Sequence, residues 1–222
     1  MQVVQDSTNA GSLFGCDGPE ELANSVTHGF GFACSVVAAV VLLHSVVGSG
    51  DVLQLLGTVG YVASMMAVYA TSTLSHSCSF ANWRERFRSW DQGCIFFLIV
   101  GTYTPLSLAF LRTPFWSGFL AVMWVIAIYG FASKVFWRHR VEKQRVTIWL
   151  YVILGWFPIF SMPAVSRVAP KECVSLIVAG GLVYTLGTVF LVNDKRVRYF
   201  HSAWHLLVIA GSACHFVAIL GL

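Results

Sequence analysis

Seven runs of about 20 mainly apolar residues, at 25–47, 52–77, 91–111, 115–136, 146–165, 173–192 and 200–222, occupy most of this 222-residue chain. A hydrocarbon core about 30 Å thick takes about 20 residues of helix to cross. Lipid offers no partner for backbone N–H and C=O groups, and a helix satisfies them within the segment. The runs predict an all-α, polytopic protein of the cell membrane, a bundle of seven transmembrane helices. The segments between runs are short, so successive helices are antiparallel neighbours, and residues 1–222 read as one domain.

Composition supports the same class. Apolar residues make up 57% of the chain and charged residues 11%, with a mean hydropathy of +0.72. Soluble chains run at about 45–50% and about 25%. A soluble enzyme, a secreted disulfide scaffold, a disordered chain and a nucleic-acid binder are all excluded. The six cysteines show no C-x-x-C spacing, so neither a disulfide framework nor a thiolate metal site is expected. The first twenty residues contain Asp6, Asp17 and Glu20 but no Lys or Arg. They lack the basic start of a cleaved signal peptide, and residues 1–24 are expected to form a short polar cytoplasmic tail.

Charge asymmetry gives an orientation. Arg84, Arg86 and Arg88, the five basic residues from Lys134 to Arg145, and Lys195, Arg196 and Arg198 fall on one side of the bundle. Only Arg112, Arg167 and Lys171 fall on the other. The positive-inside rule then places the N-terminus in the cytoplasm and the C-terminus outside. Pro158 and Pro163 should kink or unwind the fifth span. Small residues at Gly57, Gly60 and Ser64, and at Gly180, Gly181 and Gly187, suit close helix packing.

Ionisable groups within spans are costly and mark functional candidates. His201 and His205 lie four residues apart, separated by about 40° around the helix, so both imidazoles project from one face. Ser72 and His76 share a face at the end of the second span, and Asp91 opens the third. The topology brings His76, Asp91, His201 and His205 within about two or three turns of the same membrane surface. Three neutral imidazoles with one open position form the arrangement of a catalytic zinc site, where the pKa of a bound water falls to about 7. Asp91 would then act behind the metal as general base, or on it directly. Ser72, a turn deeper than His76, would hydrogen-bond the water or a substrate carbonyl, or else its own helix. Glu21, Asn24 and His28 share a face of the first span and are read as capping it or bracing the metal ligands. His215 lies nearer the outer side.

With these motifs assembled, the chain resembles the hemolysin III family, the bacterial-type branch of the progestin and adipoQ receptor family. The resemblance rests on Glu21-x2-Asn24-x3-His28-Gly29, Ser72-x3-His76-Ser77, Asp91-x-Gly93-Cys94-Ile95-Phe96 with Gly101-Thr-Tyr-Thr-Pro105, and His201-x3-His205 with Gly211-Ser-x2-His215. It implies a seven-helix bundle with a cytoplasmic-side zinc held by His76, His201 and His205. It also implies that Asp91 and Ser72 bind the zinc-held water, with Glu21, Asn24, His28 and His215 in supporting or structural positions. The family is similar to proposed membrane hydrolases, so the expected function is zinc-dependent, ceramidase-like cleavage of a lipid amide or ester. The alternatives are a pore-forming or cytolytic protein, and a non-catalytic lipid or ligand receptor with a structural zinc. In each case the expected partner is membrane lipid.

Overall fold

The structure, a computed structural model, describes residues 18–137 and 144–222. Its helices are α1 (Pro19–Val47), α2 (Val52–Ser77), α3 (Ala81–Phe110), α4 (Pro114–Phe136), α5 (Gln144–Trp156), α6 (Met162–Val165), α7 (Lys171–Asn193) and α8 (Phe200–Leu220). Among the described residues, seven helical segments are long and apolar enough to cross a membrane. The fifth of them joins α5 to α6 through a 3-10 turn at Phe157–Ser161. Pro158 lies within that turn and Pro163 just after it, as expected of residues without a backbone donor. The chain is a multi-pass integral membrane protein.

Two boundaries differ from the apolar runs. α1 starts at Pro19, so residues 19–24 are helix and not tail. Proline suits a first turn because its missing N–H has no acceptor to seek there, and Glu20 and Glu21 favour the positive helix start. α3 starts at Ala81, ten residues before the apolar run at Asp91. This added stretch carries Trp83, Phe87 and Trp90, whose rings follow one another at centroid distances of 6.0 and 6.4 Å. Charged residues between them hide the helix from a hydropathy reading, while the aromatic stripe suits a membrane interface. The tail at residues 1–17 and the basic segment 138–143, including His139, lie outside the described residues.

The packing order explains where a cavity can form. α1 packs against α2 and α8, α2 against α3, and α7 against α8, while α5 touches both α3 and α7. These elements close a ring, and α4 packs on α3 outside it. Inside the ring lies a cavity of about 760 Å³, lined by the ring helices and by none of α4. At one end of the bundle Asp51 caps α2, its Oδ1 accepting from the Leu53 and Gln54 amides at 3.1 Å. Arg112 pairs with the same carboxylate and, chiefly through that hydrogen bond, holds its pKa below the ordinary aspartate value.

Several small residues mark close approaches. A Cβ at Gly101 would collide with Ser64 Oγ and lie 3.3 Å from the Gly60 carbonyl, so α2 and α3 touch there almost backbone to backbone. Ser64 is held by its own bond to the Tyr61 carbonyl at 2.8 Å. At Gly60 itself a Cβ would meet nothing within 4 Å. Gly101→Ala should therefore destabilise the detergent-solubilised protein by about 1–3 kcal/mol through overpacking. Gly60→Ala should leave the thermal midpoint unchanged or raise it, and equal midpoints for the two variants would contradict this packing.

A candidate metal centre at one end of the bundle

α1, α3 and α8 begin, and α2 ends, at the same end of the bundle. Ser72 and His76 occupy successive turns at the close of α2, both buried. α8 is launched by Tyr199, whose left-handed backbone (φ 61) turns the chain sharply before Phe200. His201 then falls in the first turn, with His205 one turn deeper and 1% exposed. His76, His201 and His205 each offer a ring nitrogen, and these three atoms all lie within 4.8 Å of one another.

The opposite edge of every ring is occupied. His76 Nδ1 lies 2.6 Å from Glu21 Oε2, and His201 Nδ1 lies 2.9 Å from Asp194 Oδ2. His205 Nδ1 lies 3.2 Å from the Asn24 carbonyl and 3.1 Å from Thr27 Oγ1. The Thr27 hydroxyl already donates to the carbonyls of Ala23 and Asn24, so toward His205 it accepts. Carboxylates and carbonyls also accept, so each Nδ1 donates a proton and the lone pair sits on Nε2. His76 Nε2 is buried with no hydrogen-bond partner among the described residues.

Three convergent imidazole lone pairs, each backed by an acceptor, form the donor set that a divalent cation takes up. Without a cation the lone pairs repel one another. The three histidines could hold a metal ion, and the residues present fit one.

The remaining candidates divide between this centre and the rest of the cavity. Asp91 lines the cavity within electrostatic reach of the His201 ring and alongside the Ser72 hydroxyl. Ser72 is fully buried, and its hydroxyl bonds to no group among the described residues. Glu21, besides holding His76, faces Arg88 Nη2 at 3.4 Å. Asn24 is buried and accepts from Ser202 through Oδ1 at 2.5 Å, as well as from His205 through its carbonyl. His28 is 2% exposed and stacks on His205 at 3.5 Å and 17°. Its ring nitrogens make no hydrogen bond among the described residues, and it meets Tyr69 edge-on at 5.1 Å. His215 is buried in the same cavity but is not one of the three clustered histidines.

Two contributors were not anticipated from the sequence. Asp194 lies in the α7–α8 connection beside Lys195 and Arg196, where a basic loop masks a lone carboxylate. Thr27, in an apolar helix, resembles any hydroxyl bonded to its own backbone, which it also is.

Comparison with known proteins agrees with this architecture. The family described as Haemolysin-III related matches residues 17–216. The chain is 34% identical to "Hemolysin-3" of Bacillus cereus over 90% of each chain. It is 30% identical to the "Hemolysin-3 homolog" of Bacillus subtilis (strain 168), over 90% of this chain and 93% of that one. Human "Monocyte to macrophage differentiation factor" is 30% identical over 90% of this chain and 83% of its own. No solved structure matches the chain.

Protein purified without chelator should carry about one metal ion per chain, measured by elemental analysis, and His201→Ala/His205→Ala should lose it. Asp194→Asn should retain the ion about 10- to 100-fold more weakly in a chelator titration, because the His201 ring loses its charged acceptor. Full metal content in the double variant would mean that these imidazoles hold no ion.

Proposed function

This chain belongs to the haemolysin III-related family, and from that premise we propose that it is a zinc-dependent intramembrane hydrolase of a lipid amide or ester. The observation that carries this reading is the convergence of three backed imidazoles beside Asp91 and Ser72 at one end of an apolar cavity. A volume of about 760 Å³ falls within the range of about 300–1,000 Å³ common for ligand sites. Its walls include Val68, Leu98, Ile99, Leu106, Ile177 and Val208, which suit hydrocarbon. The basic-side rule places the histidine end at the cytoplasmic surface, with Arg84, Arg86 and Arg88 near the entrance.

His76, His201 and His205 would hold the zinc, which when bound supplies Lewis acidity and makes water available as a nucleophile near neutral pH. Glu21, Asp194 and the Asn24 carbonyl keep the three rings in one tautomer and orientation. The apolar walls hold the hydrocarbon chain and exclude bulk water. Asp91 accepts a proton from the attacking water at its carboxylate and returns it to the leaving amine or alcohol. The C–N or C–O bond breaks, and the products are a fatty acid and an amine or alcohol. The Ser72 hydroxyl, free of any bond to its own helix, donates to the reacting carbonyl oxygen.

A second reading, membrane permeabilisation, is favoured by the names of the Bacillus relatives. In that reading the buried polar groups would line a water path, and dye leakage from liposomes would persist after loss of all three histidines.

Asp91→Asn should lower the turnover of a susceptible long-chain lipid amide by about 10²–10⁴-fold with metal content unchanged. Wild-type turnover in that variant would remove Asp91 from the reaction and, with it, this mechanism.

A further inference from the structure

The cavity extends well past the histidine cluster, and its far part contains two polar atoms that the bundle leaves unanswered. Tyr103 is 4% exposed and His215 is 6% exposed, and both line the cavity wall. The Tyr103 hydroxyl and His215 Nδ1 are buried without a hydrogen-bond partner among the described residues. The hydroxyls of Ser161 and Ser107 lie beside Tyr103, and Ser161 gives its own proton to the Pro158 carbonyl. A buried polar group left without its hydrogen bond is costly, so two along one cavity require an explanation.

The surrounding polar groups satisfy one another, which sets these two apart. Ser212 Oγ takes the Tyr69 hydroxyl at 2.8 Å and pairs with the Tyr184 hydroxyl at 2.8 Å. The Ser212 carbonyl accepts from Tyr61 at 3.3 Å. The His215 ring is held in place, stacked on Tyr184 at 5.4 Å and 24°. Gly180 provides the room, since a Cβ there would lie 2.6 Å from His215 Nε2. The imidazole is therefore well seated, and only its hydrogen bonding is incomplete.

Counted along the helices, the two residues lie at similar distances from the histidine end. Tyr103 is twelve residues beyond Asp91 on α3, about 18 Å along the axis. His215 is ten residues beyond His205 on α8, about 15 Å. Tyr103 also packs in one cluster with Ala218, which is less than a turn from His215. Between the two levels α3 and α8 contribute Ile95, Leu98, Ile99 and Val208, and the hydroxyls of Thr102 and Tyr184 on the same wall are already taken up by the Leu98 carbonyl and by Ser212.

The geometry points to a second polar subsite, formed by Tyr103 and His215, for a hydroxyl carried far along the hydrocarbon chain of an amphiphile whose headgroup lies at the histidine centre. A hydroxyl both donates and accepts, so it can take the phenol proton and answer the imidazole nitrogen whichever tautomer is present. A plain hydrocarbon chain would leave both atoms unpaired. This inference rests on the reading of the cavity as a lipid chamber and adds the chemistry of the chain.

Binding can test it separately from turnover. Three non-hydrolysable long-chain ketones, isosteric with fatty amides, would be titrated calorimetrically into the metal-loaded protein in detergent. One is unsubstituted, one carries a hydroxyl far along the chain, and one carries it beside the ketone. The far-hydroxyl ketone should bind about tenfold tighter than the other two. Tyr103→Phe and His215→Phe should each erase most of that preference while still binding the unsubstituted ketone. That retained binding also confirms that the variants are folded. Equal affinity of all three ketones for wild-type protein, or a preference that survives Tyr103→Phe, would overturn the subsite and leave the hydrolase reading standing. If no ketone binds the wild type, the lipid chamber fails and the subsite fails with it.

Discussion

Polar groups inside a bundle that faces hydrocarbon find partners within the bundle or remain unpaired, because lipid supplies none. Most of the interior side chains obey this locally. Thr71, Thr73, Thr102, Thr104 and Ser75 each return a hydroxyl proton to a carbonyl of their own helix. The histidines cannot, since an imidazole held away from its helix needs a partner on another element. Each Nδ1 of the cluster reaches either α1 or the α7–α8 connection, and the polar requirement of the site thereby becomes tertiary structure.

α1 bears most of that requirement. Its first three turns hold His76 through Glu21, His205 through Asn24 and Thr27, Ser202 through Asn24, and the face of His205 through His28. Arg88 and Arg198 reach the same turns from α3 and from the segment before α8. The remainder of α1 has Phe30, Val37, Val40 and Val47 exposed, as a helix at the lipid boundary should. One helix thus faces lipid along most of its length and fixes the histidine cluster at its start. That division explains why a Pro start, two acidic residues and an Asn precede an otherwise valine-rich run.

The sequence makes the global architecture plain because the bilayer imposes a single length on every span. It also makes the cluster legible, because His201-x3-His205 and Ser72-x3-His76 are helical spacings and alternating topology assigns their depth. Element starts are less legible. The first ten residues of α3 are charged and aromatic, and they form helix through continuity with the span and not through hydropathy. Acceptors are harder still to foresee. Asp194 reaches His201 only after the turn at Tyr199 folds the connection back, and the Asn24 contact to His205 is made by a backbone carbonyl that has no residue signature. Tyr103 stands inside an apolar run, where a ring reads as packing until its polar atom is found unpaired.

α8 links the two polar regions physically. His201, His205, Ser212 and His215 are carried on one uninterrupted helix of 21 residues, so the spacing between the histidine cluster and the deeper polar group is set by helix rise and cannot adjust. α7 packs along α8, with Gly180 opposite His215 and Gly187 opposite Trp204; a Cβ at Gly187 would lie 2.7 Å from the indole. The ring is less firmly closed at α5, which touches α3 and α7 only lightly and gives way to a 3-10 turn at Phe157. α5 also meets α7 through Trp156, whose Nε1 donates to Thr185 at 3.0 Å. The cavity therefore has one rigid wall that carries its polar groups in fixed register. The opposite wall contains the proline-broken span, whose helix α5 packs less extensively on its ring neighbours α3 and α7 than α8 does on α7.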